Sequence, residues 1–593
     1  MLVFSYCIKT LYRFASLKGI PDWIPPIVQS SFDIVQCLER FAEIAEQANM
    51  EFKAKTVNMD SYRDTPPPDR YLKGPKLFTL LGSLTLVTFL VCLDTSIMGT
   101  AIPRITSEFH SLPDVGWYIG AFTLASATLQ PLSGKLYTHF NTKIVFLTFV
   151  SLFELGSLLC GVASSSAVLI AGRVVAGLGA SGIVNGAMTI LAGAVPMEKS
   201  PVYTGIVLGT AQMGIVAGPL IGGALTEHAV WRFYMNLPIG GVAAAIIAFV
   251  PIPERTTKPR ITLSLVRKII PDLDLLGFAL FVPPSVMLLL ALQLGSGGKY
   301  AWGSSVVIGL FCGAAACATL FILWERRMGD QAMLPGKLLG QRIVWTSCVY
   351  ASCIITCMMT ASVWMPTYFQ AVKGDGPTDS GVHVLPSILS QLLVVIATGA
   401  AVSRMGYYLP WALVGGIITA IGNGLVSTFT ASTSASVWIG YQILLGAGRG
   451  CGMQIAIIAV QNAVSPAQYP VALASVVFFQ NLSTSIAVVI ANTIFAQTLR
   501  SAITRYAPMI SPQAAVDAGS SASAVRALVP LGELDGVLRA YSEGLRDVFY
   551  FLVGIACLAT LASLGMGWTD IRNKRSKTDM NVEMDERCET MDK

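Results

Sequence analysis

Residues 205–241 read GIVLGTAQMGIVAGPLIGGALTEHAVWRFYMNLPIGG and decide the fold class. The pattern G-x-x-x-G-P-x-x-G-G inside this apolar segment is formed by Gly214, Gly218, Pro219, Gly222 and Gly223. Glycines four residues apart let two membrane helices approach backbone to backbone. A proline bends a membrane helix where neighbouring groups satisfy the freed carbonyl. The segment therefore predicts a bent membrane helix in close contact with another helix.

The composition is typical of a membrane protein. Of the 593 residues, 53% are hydrophobic and 12% are charged, whereas soluble domains carry about 25% charged residues. Apolar segments of about 20 residues recur along most of the chain, so we predict an all-α polytopic membrane protein with about fourteen transmembrane helices. The spans are expected at 77–98, 115–133, 144–163, 168–194, 202–225, 230–251, 274–294, 304–324, 343–366, 381–402, 409–429, 436–460, 471–497 and 547–568.

The distribution of Lys and Arg predicts the orientation of these spans. Alternate loops are rich in both residues, and the short loops between them carry little more than Arg104, Lys299 and Lys373. The basic loops face the cytoplasm by the positive-inside rule, so both termini are expected there. The expected location is the cell membrane, with a vesicular or vacuolar membrane as the alternative. The net charge of +6 is modest, and no nucleic-acid partner is expected.

Similar features at equivalent positions indicate an internal duplication. Residues 134–143 (GKLYTHFNTK) and 399–406 (GAAVSRMG) both join a glycine at a helix end to a short basic turn. The candidate gating-loop residues are Gly134, Lys143, Gly399, Arg404 and Gly406. Repeated halves with a site between them are the usual plan of secondary transporters.

This duplication predicts the domain organisation. A disordered cytoplasmic tail at 1–76 precedes a six-helix half at 77–254, and an inserted helix pair with cytoplasmic loops follows at 255–342. The second six-helix half, 343–568, contains a long extracellular loop at 498–546, and a cytoplasmic tail follows at 569–593. The long loop is interpreted as a solvated segment, with a gate or substrate lid as the alternative.

Charged residues inside the spans are functional candidates, because a charge at mid-bilayer costs about 2.5–3.5 kcal/mol on insertion scales. Asp94 in span 1 and Arg173 in span 4 lie at similar depth, so we predict that they pair. This contact either breaks on proton binding or conformational change, or is a permanent structural ion pair. Glu154 in span 3 either carries a proton or is neutral and hydrogen-bonded to backbone or serine.

A substrate cavity is expected between the halves. Arg449 in span 12 either lines this cavity or holds a helix end through carbonyls. The uncharged candidates, each either a substrate contact or a contact between helices, are Gln130, Asn185, Gln212 and Gln454. Sparse charge with an apolar and aromatic lining favours a bulky, amphipathic organic substrate.

Motifs for catalysis, nucleotide binding and metal binding are missing from the sequence. It contains neither G-x-x-x-x-G-K-[ST] nor G-x-S-x-G. The histidines at 110, 139, 228 and 383 are scattered, and the cysteines lack metal-site spacing. We therefore expect no enzyme, no metal and no cofactor, and an energy source in an ion gradient, the membrane potential or the substrate gradient.

Several motifs resemble the fourteen-span drug:proton antiporter family of the major facilitator superfamily. Residues 93–103 (LDTSIMGTAIP) are similar to the family's L-D-x-T-I-x-x-x-A-L-P, and 173–179 (RVVAGLG) to its R-x-x-x-G-x-G. Residues 214–223 match its antiporter motif, and 231–240 (WRFYMNLPIG) are similar to W-R-W-x-F-x-I-N-x-P-I-G. The resemblance covers 77–568 and is strongest to fungal efflux pumps for toxins and other secondary metabolites. It implies a major facilitator fold and a role for Arg173 in proton coupling.

The chain departs from the family pattern in two places. Thr138 stands where the superfamily has an acidic residue, and residues 141–143 (NTK) stand where it has G-R-[RK]. This puts in doubt a charge-based lock at the inner gate of the first half. The segment 231–236 is about two residues short, which shifts the start of span 6 by over half a helical turn.

The leading hypothesis is a monomeric exporter of hydrophobic organic compounds (a toxin, secondary metabolite or drug) that works by proton antiport with alternating access. Its expected partners are the substrate, protons and the lipid bilayer. One alternative is an uptake carrier of the same fold, such as for a ferric siderophore. Another is a non-transporting receptor. The pattern at 214–223 favours export.

Overall fold

The computed structural model describes residues 71–109, 115–224, 235–254, 258, 272–296, 300–517 and 534–572. Most of these residues lie in fourteen long helices. They are α1 Pro75–Phe109, α2 Val115–His139, α3 Thr142–Gly161, α4 Ser166–Ala194, α5 Ser200–Ala224, α6 Asn236–Phe249, α7 Leu275–Ser296, α8 Ser305–Met328, α9 Arg342–Thr367, α10 Leu385–Met405, α11 Leu409–Val426, α12 Ala435–Gly452, α13 Tyr469–Tyr506 and α14 Leu534–Ser563. Shorter helical segments are Gly329–Gln331, Gly336–Leu339, Tyr368–Lys373, Pro377–His383, Ile455–Ala463 and Pro512–Asp517.

The helices are those of a membrane protein. In the part of the chain that the structure describes, eleven helical segments are long and apolar enough to cross a membrane, and α6 is apolar but shorter, with 14 residues. Large apolar side chains such as Leu320, Ile322 and Leu323 of α8 keep at least half of their surface exposed, which suits a lipid environment better than water. The predicted fold class is confirmed, whereas the count of about fourteen spans stays a prediction.

Several helices differ from the expected bounds. The span predicted at 436–460 is divided, because α12 ends at Gly452 and a second helix begins at Ile455. α13 continues to Tyr506, and α14 begins at Leu534, so helices occupy both ends of the segment predicted as the loop 498–546. The early part of α14 buries Val537, Tyr541 and Leu545 at helical spacing. The tails predicted at 1–76 and 569–593 lie largely outside the described residues, as does the start of the short segment 231–236.

Helix packing defines two sets of helices. In the first, α1 packs against α5 and α6, and α4 packs against α2 and α3. In the second, α12 packs against α10 and α11, and α14 packs against α9, α11 and α13. The two sets meet where α5 contacts α10 and where α2 contacts α13. A site between the two sets is therefore lined by α2, α5, α10 and α13 and by the helices next to them.

The helices α7 and α8 form a pair that lies against α2 and α13 through α7. Asp274, just before α7, accepts from Trp324 Nε1 of α8 at 2.8 Å and from the Met333 amide at 3.0 Å. Lys135 of α2 donates through Nζ to the Asp272 carbonyl at 2.8 Å and to the Gln331 carbonyl at 2.5 Å. One lysine of α2 thus ties both ends of the pair to the first set of helices.

Candidate functional site

A buried ion pair joins α1 to α4. Arg173 donates through Nη1 to Asp94 Oδ2 at 2.5 Å, and each side chain is 1% exposed. Asp94 Oδ1 accepts from Asn236 Nδ2 of α6 at 3.3 Å, and the same amide donates to Ser157 Oγ of α3 at 3.1 Å. The structure therefore brings Asp94 and Arg173 together, as predicted, within one polar cluster built from four helices.

The remaining surroundings of Arg173 are supplied by α2. Its Nε donates to the Tyr118 carbonyl at 3.0 Å, and its guanidinium carbon lies 4.4 Å from the centre of the Phe122 ring. A buried ion pair is stable only where further partners satisfy the remaining polar groups, and an aromatic ring face attracts a cation. The arginine is thus neutralised by Asp94 and oriented by two groups of α2.

Glu154 of α3 is a buried carboxylate beside this cluster. Neither of its side-chain oxygens has a hydrogen-bond partner among the residues that the structure describes. It lies against Gly240 of α6, where an added methyl group would contact the carboxylate directly. Gly240 is one helical turn from Asn236, so Glu154 and the Asp94 cluster face the same side of α6. The hydrogen bond to backbone or serine that the sequence left open is not observed there.

The glycine motif of α5 packs against α1 next to Asp94. A methyl group on Gly214 would lie 2.6 Å from the Phe89 carbonyl oxygen and 2.8 Å from the Leu93 amide nitrogen. One turn later, Ser96 Oγ of α1 donates to the Ile215 carbonyl at 2.6 Å, and Gly218 leaves room for this serine. The two backbones are therefore in direct contact on both sides of Asp94. The side-chain surroundings of Pro219, Gly222 and Gly223 lie outside the described residues.

A small, partly open cavity lies between α5 of the first set and α9, α10 and α12 of the second. Most of its lining is apolar with a few polar groups, as in sites for small organic molecules. The lining residues are Gln212, Ile215, Met358, Ala361, Ser362, Met365, Val384, Ser387, Ile388, Gln391 and Arg449. Of the residues predicted for a substrate cavity, Gln212 and Arg449 lie on it.

The other three predicted cavity residues lie at helix contacts. Asn185 Nδ2 of α4 donates to Ser133 Oγ of α2 at 3.1 Å, and that hydroxyl donates to the Gln130 carbonyl at 2.7 Å. Gln454, just after α12, donates through Nε2 to the Val395 carbonyl of α10 at 2.9 Å. Asn185 and Gln454 thus each bond a group on a neighbouring helix, whereas the side-chain nitrogen of Gln130 is buried without a hydrogen-bond partner among the described residues. The alternative role of a contact between helices matches the bonds of Asn185 and Gln454, and no such bond is observed for Gln130 in this part of the chain.

The ends of the bundle that carry the α2–α3 and α10–α11 loops are joined by glycine contacts. A methyl group on Gly134 of α2 would lie 2.8 Å from Ala474 Cβ of α13. A methyl group on Gly399 of α10 would lie 2.5 Å from the Pro201 carbonyl oxygen of α5. Two of the three predicted gating glycines, Gly134 and Gly399, therefore lie where the two sets of helices touch. This end of the bundle is closed between the sets.

An ion pair that the motif analysis missed holds the α2–α3 loop. Glu254, after α6, accepts from the Thr142 amide at 2.6 Å and from its hydroxyl at 2.8 Å. Lys258 Nζ lies 3.0 Å from Glu254 Oε2 and donates to the Tyr137 carbonyl at 2.6 Å. The anion therefore caps the start of α3 and the cation caps the end of α2, each matching the helix dipole. Burial lowers the pKa of Lys258, and the charge of Glu254 opposes this shift.

The α10–α11 loop is held in a similar way by the segment after α14. Gly406 ends α10 with a φ of +83°, a left-handed conformation that favours glycine. Its carbonyl accepts from the Ile571 amide at 3.0 Å, and Arg572 Nη1 donates to the Arg404 carbonyl at 3.0 Å. Arg572 also hydrogen-bonds Asp570, which lowers the pKa of that carboxyl. In each set, the segment after the last helix thus fastens the loop between the second and third.

We expect Lys258→Met to destabilise the protein by about 1.5–3 kcal/mol, because it leaves the half-buried Glu254 carboxylate and a helix-end carbonyl without their charged donor. Thermal unfolding of the purified protein, followed by tryptophan fluorescence, measures the change. The control is Lys143→Met, since Lys143 is half-buried and, among the residues that the structure describes, donates to the Val250 carbonyl alone, at 3.0 Å. Equal effects of the two substitutions would contradict a special role for Lys258.

Comparison with known proteins identifies the family. A family model described as Major Facilitator Superfamily matches residues 84–488, which is more than half of the chain. The chain belongs to the Major Facilitator Superfamily. It is a transporter rather than an enzyme. The family resemblance identified from its motifs is confirmed.

Fungal relatives of this transporter cover nearly its whole length. The MFS-type transporter calB of Penicillium decumbens is 53% identical over 526 residues, which are 88% of this chain and 93% of the relative. The efflux pump mlcE of Penicillium citrinum is 46% identical over 524 residues, 87% of this chain and 94% of the relative. A structure of the proton:xylose symporter XylE matches with a TM-score of 0.52 at 12% identity, over 82% of this chain and 94% of that one. That distant likeness shows the fold alone.

Proposed function

We propose that this transporter exports a hydrophobic organic compound (a toxin, secondary metabolite or drug) by proton antiport. The observation that carries the proposal is the contact of the α5 glycine motif with α1 on both sides of Asp94. It places a close contact between two helix backbones next to a buried carboxylate. A relative named as an efflux pump, 46% identical, supports the outward direction of transport.

In this mechanism, proton binding and helix movement are coupled through Asp94. Protonation of Asp94 removes the negative charge that balances Arg173 and weakens the link between α1 and α4. Glu154 supplies a second carboxylate one helical turn along α6 from Asn236, and among the described residues no hydrogen-bond donor stabilises its charged form, so it can bind a proton. The closed contacts at Gly134 and Gly399 then part and re-form as the cavity alternates between the two sides of the membrane.

The proposal also covers the oligomeric state of the protein, its membrane and its orientation. The transporter works as a monomer in the cell membrane, or in a vesicular or vacuolar membrane, with both termini in the cytoplasm. The excess of Lys and Arg in alternate loops supports this orientation. The glycine contacts at Gly134 and Gly399 then close the cytoplasmic end, and the cavity at Arg449 faces the opposite side.

Efflux from yeast that lacks its own drug pumps tests this proposal. We expect cells that express the transporter to release hydrophobic dyes and toxins faster than control cells, and a protonophore to abolish the difference. The Glu154→Gln variant should lose this proton-driven component at equal surface expression. Faster accumulation of a compound would instead favour the uptake carrier. Efflux that continues unchanged under the protonophore would refute proton antiport.

A further inference from the structure

The two buried arginines of the helix sets differ in their partners. Arg449 of α12 occupies the second set as Arg173 of α4 occupies the first, and it is 4% exposed. Its Nη2 donates to Ser387 Oγ of α10 at 2.5 Å, and its Nε donates to the Leu445 carbonyl of its own helix at 3.3 Å. Arg173 has the carboxylate of Asp94, whereas no carboxylate in the described part of the chain pairs with Arg449.

The helix that corresponds to α1 does not supply the missing anion. Under the predicted repeat, α9 corresponds to α1, and the sequence of α9 contains no aspartate or glutamate. In its place α9 presents Met358, Ala361 and Met365 to the cavity on which Arg449 lies. The first set thus completes its charge pair within the protein, and the second set has an open cavity at the equivalent place.

A guanidinium in this position keeps its charge, because arginine is not deprotonated in proteins. A buried charge without a counter-ion is costly, and the Ser387 hydroxyl and Leu445 carbonyl that accept from Arg449 offset this cost only in part. Arginine presents a planar fork of donors that matches a carboxylate. A ligand that brings a carboxylate into the cavity therefore completes the site, and the methionine side chains beside it adapt to an irregular apolar body.

We propose that Arg449 selects the substrate by binding the carboxylate of an amphipathic organic acid, whose apolar part lies against Met358 and Met365. Ser387 orients the guanidinium toward the cavity, and Gln391 and Gln212 provide further polar groups on its wall. This inference rests on the proposed export function, since it names the substrate class for the same cavity.

Two probes that differ in charge test the inference. They are 1-pyrenebutyric acid and 1-pyrenebutanol, which share the same aromatic body. We expect the purified full-length transporter in lipid nanodiscs to bind the acid at least about tenfold more tightly than the alcohol, as one charge-assisted contact provides. Arg449→Gln should weaken binding of the acid alone and remove the preference, and Arg449→Lys should keep part of it. The control is Arg326→Gln, at an exposed position near the end of α8.

Each outcome of this test is informative. Equal binding of acid and alcohol by the unmodified protein, or binding of neither, would overturn the inference without reference to any variant. A preference that survives Arg449→Gln in a protein with a normal size-exclusion profile would overturn it as well. Binding that favours the acid, together with no efflux of either probe from pump-deficient yeast, would uphold the inference and contradict the export function. Efflux of both probes at equal rates would do the reverse.

Discussion

The Asp94→Asn variant is expected to lose proton-driven export and to unfold more readily than the unmodified protein. The substitution leaves the Arg173 guanidinium buried, 1% exposed, without its counter-ion. Breaking a buried ion pair from one side typically costs about 3–5 kcal/mol. Export assays in yeast, corrected for the amount of transporter at the surface, and thermal unfolding of the purified protein measure the two effects.

A double variant separates a functional ion pair from a structural one. Asp94→Asn combined with Arg173→Gln removes both charges, so no unpaired charge remains in the cluster. We expect this double variant to recover most of the lost stability and still to export nothing, because the titratable group is gone. Export at the normal rate by the double variant would show that the pair serves the fold alone.

The second large effect is expected for Gly214→Val in the α5 motif. The new side chain would meet the Phe89 carbonyl oxygen and the Leu93 amide nitrogen, which both belong to the backbone of α1. Backbone atoms cannot turn aside as a flexible side chain can, so the helices must separate. Overpacking in a close-packed interior typically costs about 1–3 kcal/mol. We therefore expect loss of export together with a lower unfolding temperature.

Gly241→Val is the matched control for this substitution. Gly241 lies in α6, is exposed, and has no atom within 4 Å of the position that a Cβ would take. The change in intrinsic helix propensity is the same in both variants. Gly214→Ala should give an intermediate loss, since a methyl group reaches the same two backbone atoms. Equal stability and export for Gly214→Val and Gly241→Val would exclude a close α1–α5 contact.

The membrane-protein class and the family follow from the sequence alone. In a bilayer every backbone polar group must be satisfied within the segment, so apolar stretches of about 20 residues have to be helices. The motifs around Asp94, Arg173 and Gly214 are each contiguous in the chain, so they can be recognised from the sequence. The pairing of Asp94 with Arg173 was also accessible, because the rise of a helix converts residue number into depth.

Contacts between side chains on helices that are far apart in the sequence could not be predicted in this way. Asn185 and Gln454 resemble cavity residues in the sequence, and only the packing shows that they join helices. Thr138 is not acidic, and in the structure the charges that hold the α2–α3 loop come from Glu254 and Lys258, more than 100 positions away. A sequence motif reports neighbours along the chain, whereas a charge pair requires neighbours in space.

Arg449 illustrates what the sequence determines and what requires the tertiary structure. The sequence alone determined that an arginine lies inside an apolar helix, which is costly and therefore points to a role. Only the tertiary structure decided which role is open to it, because the cavity, and the lack of a paired carboxylate among the described residues, depend on what α9 and α10 place beside it. The burial of a side chain and the balance of its charge depend on all the helices around it. Helical periodicity in the sequence specifies only which face of its own helix the residue occupies.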